Sequence, residues 1–444
     1  MFGLQCFSDI CLSNIISAGL IMEIISAAEK PWCGNCPLVF KRENEGDRMG
    51  TAAGVGYSVH RNPAEAGREA ASKAMQQAGT EAPDFVFVFA TVGYNQQLLI
   101  RSIREATSGA PLSGCSGEGI ITQGIADETN FGVSVMVIRS DDLRFRNSCV
   151  MDIQHGADAA GARLAANIDP FVAADSIACF LFADGLALNF DPFLSAFEKA
   201  LQRKHPLPLL GGLAADNWTS KKTYQYHDDT VFSEGISAVV MSGAGKISWG
   251  INHGCVPIGT ERKITRSRGN NIYDIDGVPA LEALKEYFDE DWKNQWNKTS
   301  LNLCLGFRTP ELFREYYNDF IIRYMMQKDD QEGSVKIQSD VLEGAGLWIV
   351  RRDKDLIRNG LQAISGQIKE RAGTEKPKFI LHFECVGRGK VVFREQEKLE
   401  LIRSLQKDIG EDIPWMGFYT YGEIGPVREF NCFHNFTAVV AAIY

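Results

Sequence analysis

Several things are scarce in this sequence, and each scarcity removes a class of function. Positive charge is outnumbered: 46 Lys and Arg against 56 Asp and Glu leave a net charge of −10, with no basic stripe to displace counterions from nucleic-acid phosphates. Histidine occurs only seven times in 444 residues. The pairs His253 with Cys255 and His382 with Cys385 lack the spacing of a closed zinc site, so no metal is expected. No apolar run suits a bilayer. Residues 14–28 fall short of the roughly 20 required, carry Glu23, and lack the basic flank of a signal peptide. Neither GxxxxGK[ST] nor a strand-linked GxGxxG is present, which leaves a nucleotide cradle without support, and no cofactor is expected. Low-complexity segments and long linkers are also missing.

What is present is ordinary for a globular chain. Hydrophobic residues make up 45% and charged residues 23%, and the length allows two or three domains with their own cores. Eleven cysteines are an odd number for a disulfide set, and Cys179 in "IACFLF" sits where a free thiol behaves as a small hydrophobe. That usage fits a reducing, cytoplasmic setting. Cys6, Cys11, Cys33 and Cys36 cluster near the start; "CGNC" is a lone CxxC without a second half.

Residues 1–48 read as an extension foreign to the rest, with Met49 as the natural start. From there an alternating strand leads into a marked helix: Asn62 as N-cap, Pro63 in the first turn, Glu65 completing a capping-box-like pair, Gly79 ending it.

Three stretches then share one pattern of strand, helix, Pro-x-x-Gly turn and strand. The first runs from "FVFVFA" through a helix over 95–108 and "PLSGCSGEG" to "FGVSVMVI". The second runs from "IACFLF" through a helix from 191 and "PLLGGLAADN" to "GISAVVM"; the third from "KFILHFEC" through a helix near 393–408 and "PWMGFYTYGEIG" to "FTAVVAAIY". Gly114, Gly211 and Gly417 each follow their proline by three, and Glu118, Asp216 and Glu423 follow at seven, eight and nine. Between the second and third copies, strands are expected over 246–275, then a turn and a helix opened near Asp276-Gly277, with "PELFREYYNDFIIRYMM" and "DLIRNGLQAISGQIKERAG" helical by apolar spacing. The sheets should be mixed, since strand–helix–strand units suit parallel pairs and short turns antiparallel ones.

The candidate site residues come from these turns. "GCSGEG" offers Gly114, Cys115, Ser116 and Glu118, either as a tight turn, a nucleophile's loop or a binding loop whose glycines admit a close ligand. It is not the GxSxG elbow, because Glu118 stands where glycine is needed. "GFYTYGEIGP" sets Tyr419, Tyr421 and Glu423 at alternate positions, on one side of an extended segment. Arg388 in "CVGRGK" follows a strand, where a guanidinium can grip a carboxylate.

"GCSGEGI", "PLLGGLAADN", "CVGRG" and above all "GFYTYGEIGP…NFTAVV" resemble the FIST family, from about Met49 to Tyr444. The resemblance implies an α/β (mixed α+β) fold, with the repeated units forming mixed sheets covered by helices in two FIST-type domains, 49–250 and 251–444. It implies a sensory input module for signal transduction that binds a small ligand, amino acids or their derivatives being proposed for the family, and relays to a partner such as a kinase or chemoreceptor. Arg388 with Glu423, Tyr419 and Tyr421 would then hold an amino acid, and Gly114, Cys115, Ser116 and Glu118 line its other side. "AADN" departs from the plainer turn expected of the family, which leaves Asp216 unassigned, and no output domain is recognised in the chain. An enzyme working through Cys115 or Glu423, and a protein-interaction scaffold, are the alternatives.

Overall fold

The computed structural model describes residues 50–202, 207–309, 311 and 319–444. Met49 and the "CGNC" cysteines lie outside the described residues. Local signals act as the sequence suggests. The helix Pro63–Ala78 opens on Asn62, whose side chain accepts the N–H groups of Ala64 and Glu65, and closes on Gly79 at φ 64°. One detail differs. The Asn62 N–H goes to the His60 ring (3.1 Å), and Glu65 pairs with Arg68, so the reciprocal half of the capping box is not made.

The three copies are three units of one plan. Each has a lead strand, a helix, a first core strand, a second helix, a second core strand, a hairpin and a return strand. In unit 1 the lead strand is Thr51–Ser58, the core strands Phe85–Ala90 and Leu112–Ser116, the hairpin 120–127 and the return strand Val133–Ser140. Unit 2 uses Leu143–Val150, Ser176–Asp184 and Leu209–Ala214, then 225–232 and Ile236–Gly243. Unit 3 uses Ile247–Asn252, Phe379–Cys385 and Trp415–Thr420, then 423–434 and Ala438–Ile443. The two core strands of each unit are parallel, and their other neighbours antiparallel, giving mixed sheets.

No unit completes its own sheet. The hairpin of unit 2 extends the sheet of unit 1, that of unit 3 extends unit 2, and that of unit 1 extends unit 3. This cyclic exchange ties the chain into one ring of sheets.

The Pro-x-x-Gly signal has a physical cause in every copy. The carbonyls of Pro111, Pro208 and Pro414 accept the N–H groups of Val86, Cys179 and Ile380, so each proline opens a second core strand where no donor is needed. Two residues further along the first core strand, a Cβ on Gly114, Gly211 or Gly417 would lie 1.8, 2.0 or 2.0 Å from the carbonyl oxygen of Val88, Leu181 or His382. The acids are a different matter. The N–H groups of Glu118, Ala215 and Tyr421 cross to the next unit at the carbonyls of Ser116 (from Ala215), Leu213 (from Tyr421) and Tyr419 (from Glu118). Equivalent positions therefore hold Glu118, Ala215 and Tyr421, and the series Glu118, Asp216, Glu423 is not an equivalence.

Alternation along the core strands sends one face to a shared centre and the other under helices. Phe89, Phe182 and Phe383, each one residue past the glycine contact, meet at the centre with ring centroids 5.2, 6.5 and 6.3 Å apart.

Between the lead strand and first helix of unit 3, residues 255–352 form an insertion with its own eight-stranded sheet and core. Here two expectations fail. Asp276 and Gly277 form a hairpin turn, both at positive φ (53° and 81°), and the helix is only Ala280–Leu284. Phe320–Arg323, expected as helix, is a strand paired with Leu303–Arg308; its β-branched residues complete that sheet. Residues 310 and 312–318 of the same stretch lie outside the described ones. The helix Lys354–Ala372 forms as expected, capped by Asp353. Among the described residues no helix is long and apolar enough to cross a membrane.

Candidate functional site

The insertion folds back over the C-terminal ends of the core strands of units 2 and 3, forming an open-mouthed cavity of about 170 Å³. Val386 and Gly387, directly after the first core strand of unit 3, lie in its lining with Phe436. The rings of Trp218, Tyr324 and Tyr421 wall it, and the exposed side chains of Ser220, Asn297 and Gln327 rim it. None of its lining residues carries a formal charge.

Two buried amides connect the insertion to the body here. Asn435 takes the Tyr324 N–H on its oxygen (3.0 Å) and donates to Gln338 Oε1 (2.8 Å). This fixes the Gln338 amide so that its NH2 faces the carbonyls of Gly185 and Tyr421, both at a long 3.4 Å. Tyr421 is held from behind: its hydroxyl donates to Asp216 Oδ1 (2.8 Å) and accepts the Trp218 N–H (2.9 Å), with the two rings 5.8 Å apart. Burial pushes the Asp216 carboxyl up, but donors from Thr219, Lys221, Lys222 and Tyr421 outweigh it and hold the group below its ordinary value. Asp216 is thus the brace of the 216–222 loop.

The residues singled out in sequence fall at different depths. Tyr421 borders the cavity. Glu423 lies one layer behind it, hydrogen-bonded to the Thr420 hydroxyl and the Thr437 N–H (3.1 Å), and burial pushes its carboxyl well up. Tyr419 points away, into the apolar cluster beneath the unit 3 helices, with the Lys398 ammonium 5.8 Å from its ring centroid. The three share no face because the chain leaves one sheet at Thr420 and enters another at Glu423. Arg388 is buried beside Gly387 with its Nε on Glu384 (2.5 Å) and Nη1 on the carbonyls of Asn252 and His253 (3.0 and 2.7 Å). The carboxylate it grips is the protein's own.

The "GCSGEG" loop is built into the unit junctions. Gly114 answers a strand contact, and Ser116 Oγ bonds the Ala215 carbonyl (2.7 Å) while accepting the Tyr224 N–H (3.0 Å). Cys115 lies in the shared apolar core, where burial pushes its thiol well up, away from the reactive thiolate. Neither Cys115 nor Glu423 borders the cavity, so the catalytic alternative built on them finds no substrate space there.

Glu118 is fully buried, 3.1 Å from the Lys390 ammonium, while the Lys390 N–H bonds both oxygens of Glu128 (2.8 and 2.7 Å). Burial pushes the Glu118 carboxyl from its ordinary 4.5 up to about 7, against the pull of Lys390. The raised value means the folded chain keeps a proton the unfolded chain releases. Stability from this group is complete below about pH 4.5 and is lost as pH rises through about 7. Glu118→Gln, which stays neutral, is therefore expected to raise stability at alkaline pH and change little in acid. Urea midpoints across that interval check it, and parallel curves for the two proteins would contradict it.

Trp218, Tyr324, Gln338, Asn435 and Phe436 escaped the sequence reading of the site. Asn435 and Phe436 lie inside the quoted "NFTAVV" tail, a usable signal; Tyr324 and Gln338 come from the insertion, where nothing in the pattern marked them.

Comparison with known proteins places the chain at the level of family. An uncharacterized protein of Mycobacterium tuberculosis (strain H37Rv) is 27% identical over 400 residues, covering 87% of this chain and 98% of the relative. Another, from Mycobacterium bovis, is 29% identical over 56% of this chain and 65% of its own. Among solved structures, a chorismatase overlaps 88% of this chain and 98% of its own at TM-score 0.34 and 10% identity. A cyanuric acid hydrolase overlaps 47% and 72% at TM-score 0.26 and 12% identity. Overlaps this slight bear on neither chemistry nor mechanism. Residues 84–278 match the FIST N domain and 280–426 the FIST C domain, domains that serve generally as sensor modules in signal transduction. The chain belongs to the FIST family, with the two domains in tandem.

Proposed function

We propose that the chain is a soluble, cytoplasmic sensory input module that binds a small molecule in the cavity and relays its occupancy to a separate signalling partner, a kinase or a chemoreceptor. The observation that carries this reading is the meeting of three bodies around one space: unit 2, unit 3 and the insertion all contribute wall residues. A molecule filling it touches all three and favours the arrangement in which they close on it, the differential affinity a sensor requires. Concave, mostly apolar walls with a few directed polar groups are the usual make-up of a small-ligand site.

A thermal-shift screen of the full chain tests it, beginning with amino acids and their derivatives. A compound at about 100 times its Kd adds about 2.7 kcal/mol of stability, which moves the midpoint by several degrees. The expected result is a saturable shift that disappears in Trp218→Leu, whose own midpoint stays close to that of the wild type. A shift unchanged in Trp218→Leu places the compound elsewhere and overturns the reading of the cavity. Steady consumption of the compound would make the chain an enzyme.

A further inference from the structure

We propose that the cavity selects an uncharged, planar molecule of about one ring that presents a hydrogen-bond acceptor to Gln338, and rejects free zwitterionic amino acids. The proposal rests on the reading of the cavity as the ligand site and names the chemistry it takes.

Size sets the first limit. An apolar cavity of about 150 Å³ holds benzene, so about 170 Å³ seats a single ring, with its substituent free to reach the open mouth. Charge sets the second. A zwitterion needs a cation for its carboxylate and an acid or π-face for its ammonium, and loses the hydration of both on entry. Aromatic faces are present, but among the lining residues no cation answers a carboxylate. Arg388, one residue past Gly387, has its Nε and Nη1 on Glu384, Asn252 and His253, and Arg352 behind the wall bonds the Gly387 carbonyl and lies 5.3 Å from the Phe436 ring centroid. Glu423, the partner once expected for the ammonium, sits behind the wall, bonded to Thr420 and Thr437. An entering zwitterion finds no cation among the lining residues for its carboxylate.

The polar reader is the third element. Asn435 is spoken for on both ends, by the Tyr324 N–H and by Gln338 Oε1. The same bond takes the acceptor end of Gln338 and leaves its NH2 with two long contacts, 3.4 Å each, to the carbonyls of Gly185 and Tyr421. A donor so loosely held exchanges those contacts for a shorter bond to a ligand carbonyl or ring nitrogen, while the aromatic walls cover the ring faces.

Three probes of nearly one shape separate the terms: benzamide (neutral), benzoate (anionic) and benzylammonium (cationic), titrated into the full chain by tryptophan fluorescence and calorimetry, with phenylalanine as the zwitterion. Saturable benzamide binding, about tenfold tighter than either ion and lost in Trp218→Leu, is expected. Gln338→Glu, which keeps shape and removes the donor, is expected to weaken benzamide by about tenfold. Gln338→Met, which removes the donor without adding charge, should weaken it equally. Benzoate or phenylalanine binding as tightly as benzamide overturns the charge selection while leaving the cavity a ligand site. Benzamide undiminished in both Gln338 variants overturns the reader. No binding by any of the four overturns the ring-sized class, and the wider screen then judges the cavity separately.

Discussion

Alanine at Gly114, Gly211 or Gly417 is expected to cost more than about 4 kcal/mol in each case, the range in which point mutants commonly fail to fold. The added methyl would sit 1.8–2.0 Å from a carbonyl oxygen of the neighbouring parallel strand, and that oxygen belongs to backbone, not to a side chain that can swing aside. Relief requires the two core strands to part, which breaks the pairs from Val88↔Gly114, Leu181↔Gly211 or His382↔Gly417 outward. The strain passes directly to Phe89, Phe182 and Phe383, because each is the next residue on the displaced strand and all three touch. Gly366 is the control: it lies in the helix Lys354–Ala372 with nothing within 4 Å of its added Cβ. Alanine there should stabilise by about 0.5–1 kcal/mol, since a helix interior favours it. Urea midpoints and soluble yield measure all four. Tolerance at one core glycine and not the others would mean that the three units are not mechanically equivalent.

That test bears on what the sequence could reveal. The core strands, the helices beside them and the Pro-x-x-Gly turns were legible because their causes are local: apolar runs, side-chain caps, a missing N–H, a missing Cβ. The cyclic exchange of hairpins was not. A hairpin's alternation says that it pairs, and the partner is chosen by packing against strands far away in sequence. Ile120–Thr122 joins Met416–Phe418 from the far end of the fold's sequence, Ile121 facing Gly417, and nothing in "IIT" records it. The site suffered in the same way. Alternation placed Tyr419, Tyr421 and Glu423 on one face, correct for a continuous strand, but the chain changes sheets at Tyr421-Gly422 and the three disperse. Asp276-Gly277 looked like a helix opening because aspartate caps helices and turns alike. The walls of the cavity come from the 185–186 loop, the 218–220 loop, the insertion and two ends of unit 3, a convergence only the fold produces.

Arg388 offers the second large effect and separates structural from ligand-binding roles. Arg388→Met is expected to cost about 3–5 kcal/mol, because removing one partner of a buried ion pair leaves the other charge uncompensated. The stranded group is Glu384. Burial pushes its carboxyl up, and Arg388, with a hydrogen bond from His382 Nε2 (2.8 Å), outweighs burial and holds it below the ordinary value. Without the guanidinium the largest pull against burial is gone, so the Glu384 value moves up from its wild-type position. In the wild type, Glu384 contributes stability that is present above its ordinary value and lost in acid, and the variant loses that contribution in part or whole. The gap between the two proteins should therefore narrow in acid and widen toward neutrality. Glu384→Gln added to Arg388→Met should recover part of the loss, since no buried charge remains. Had Arg388 been a clamp for a ligand's carboxylate, its removal would leave the unliganded midpoint in place and abolish binding alone. Melting curves of the unliganded variants at two pH values decide between these outcomes, and a midpoint unchanged at both would return Arg388 to the ligand.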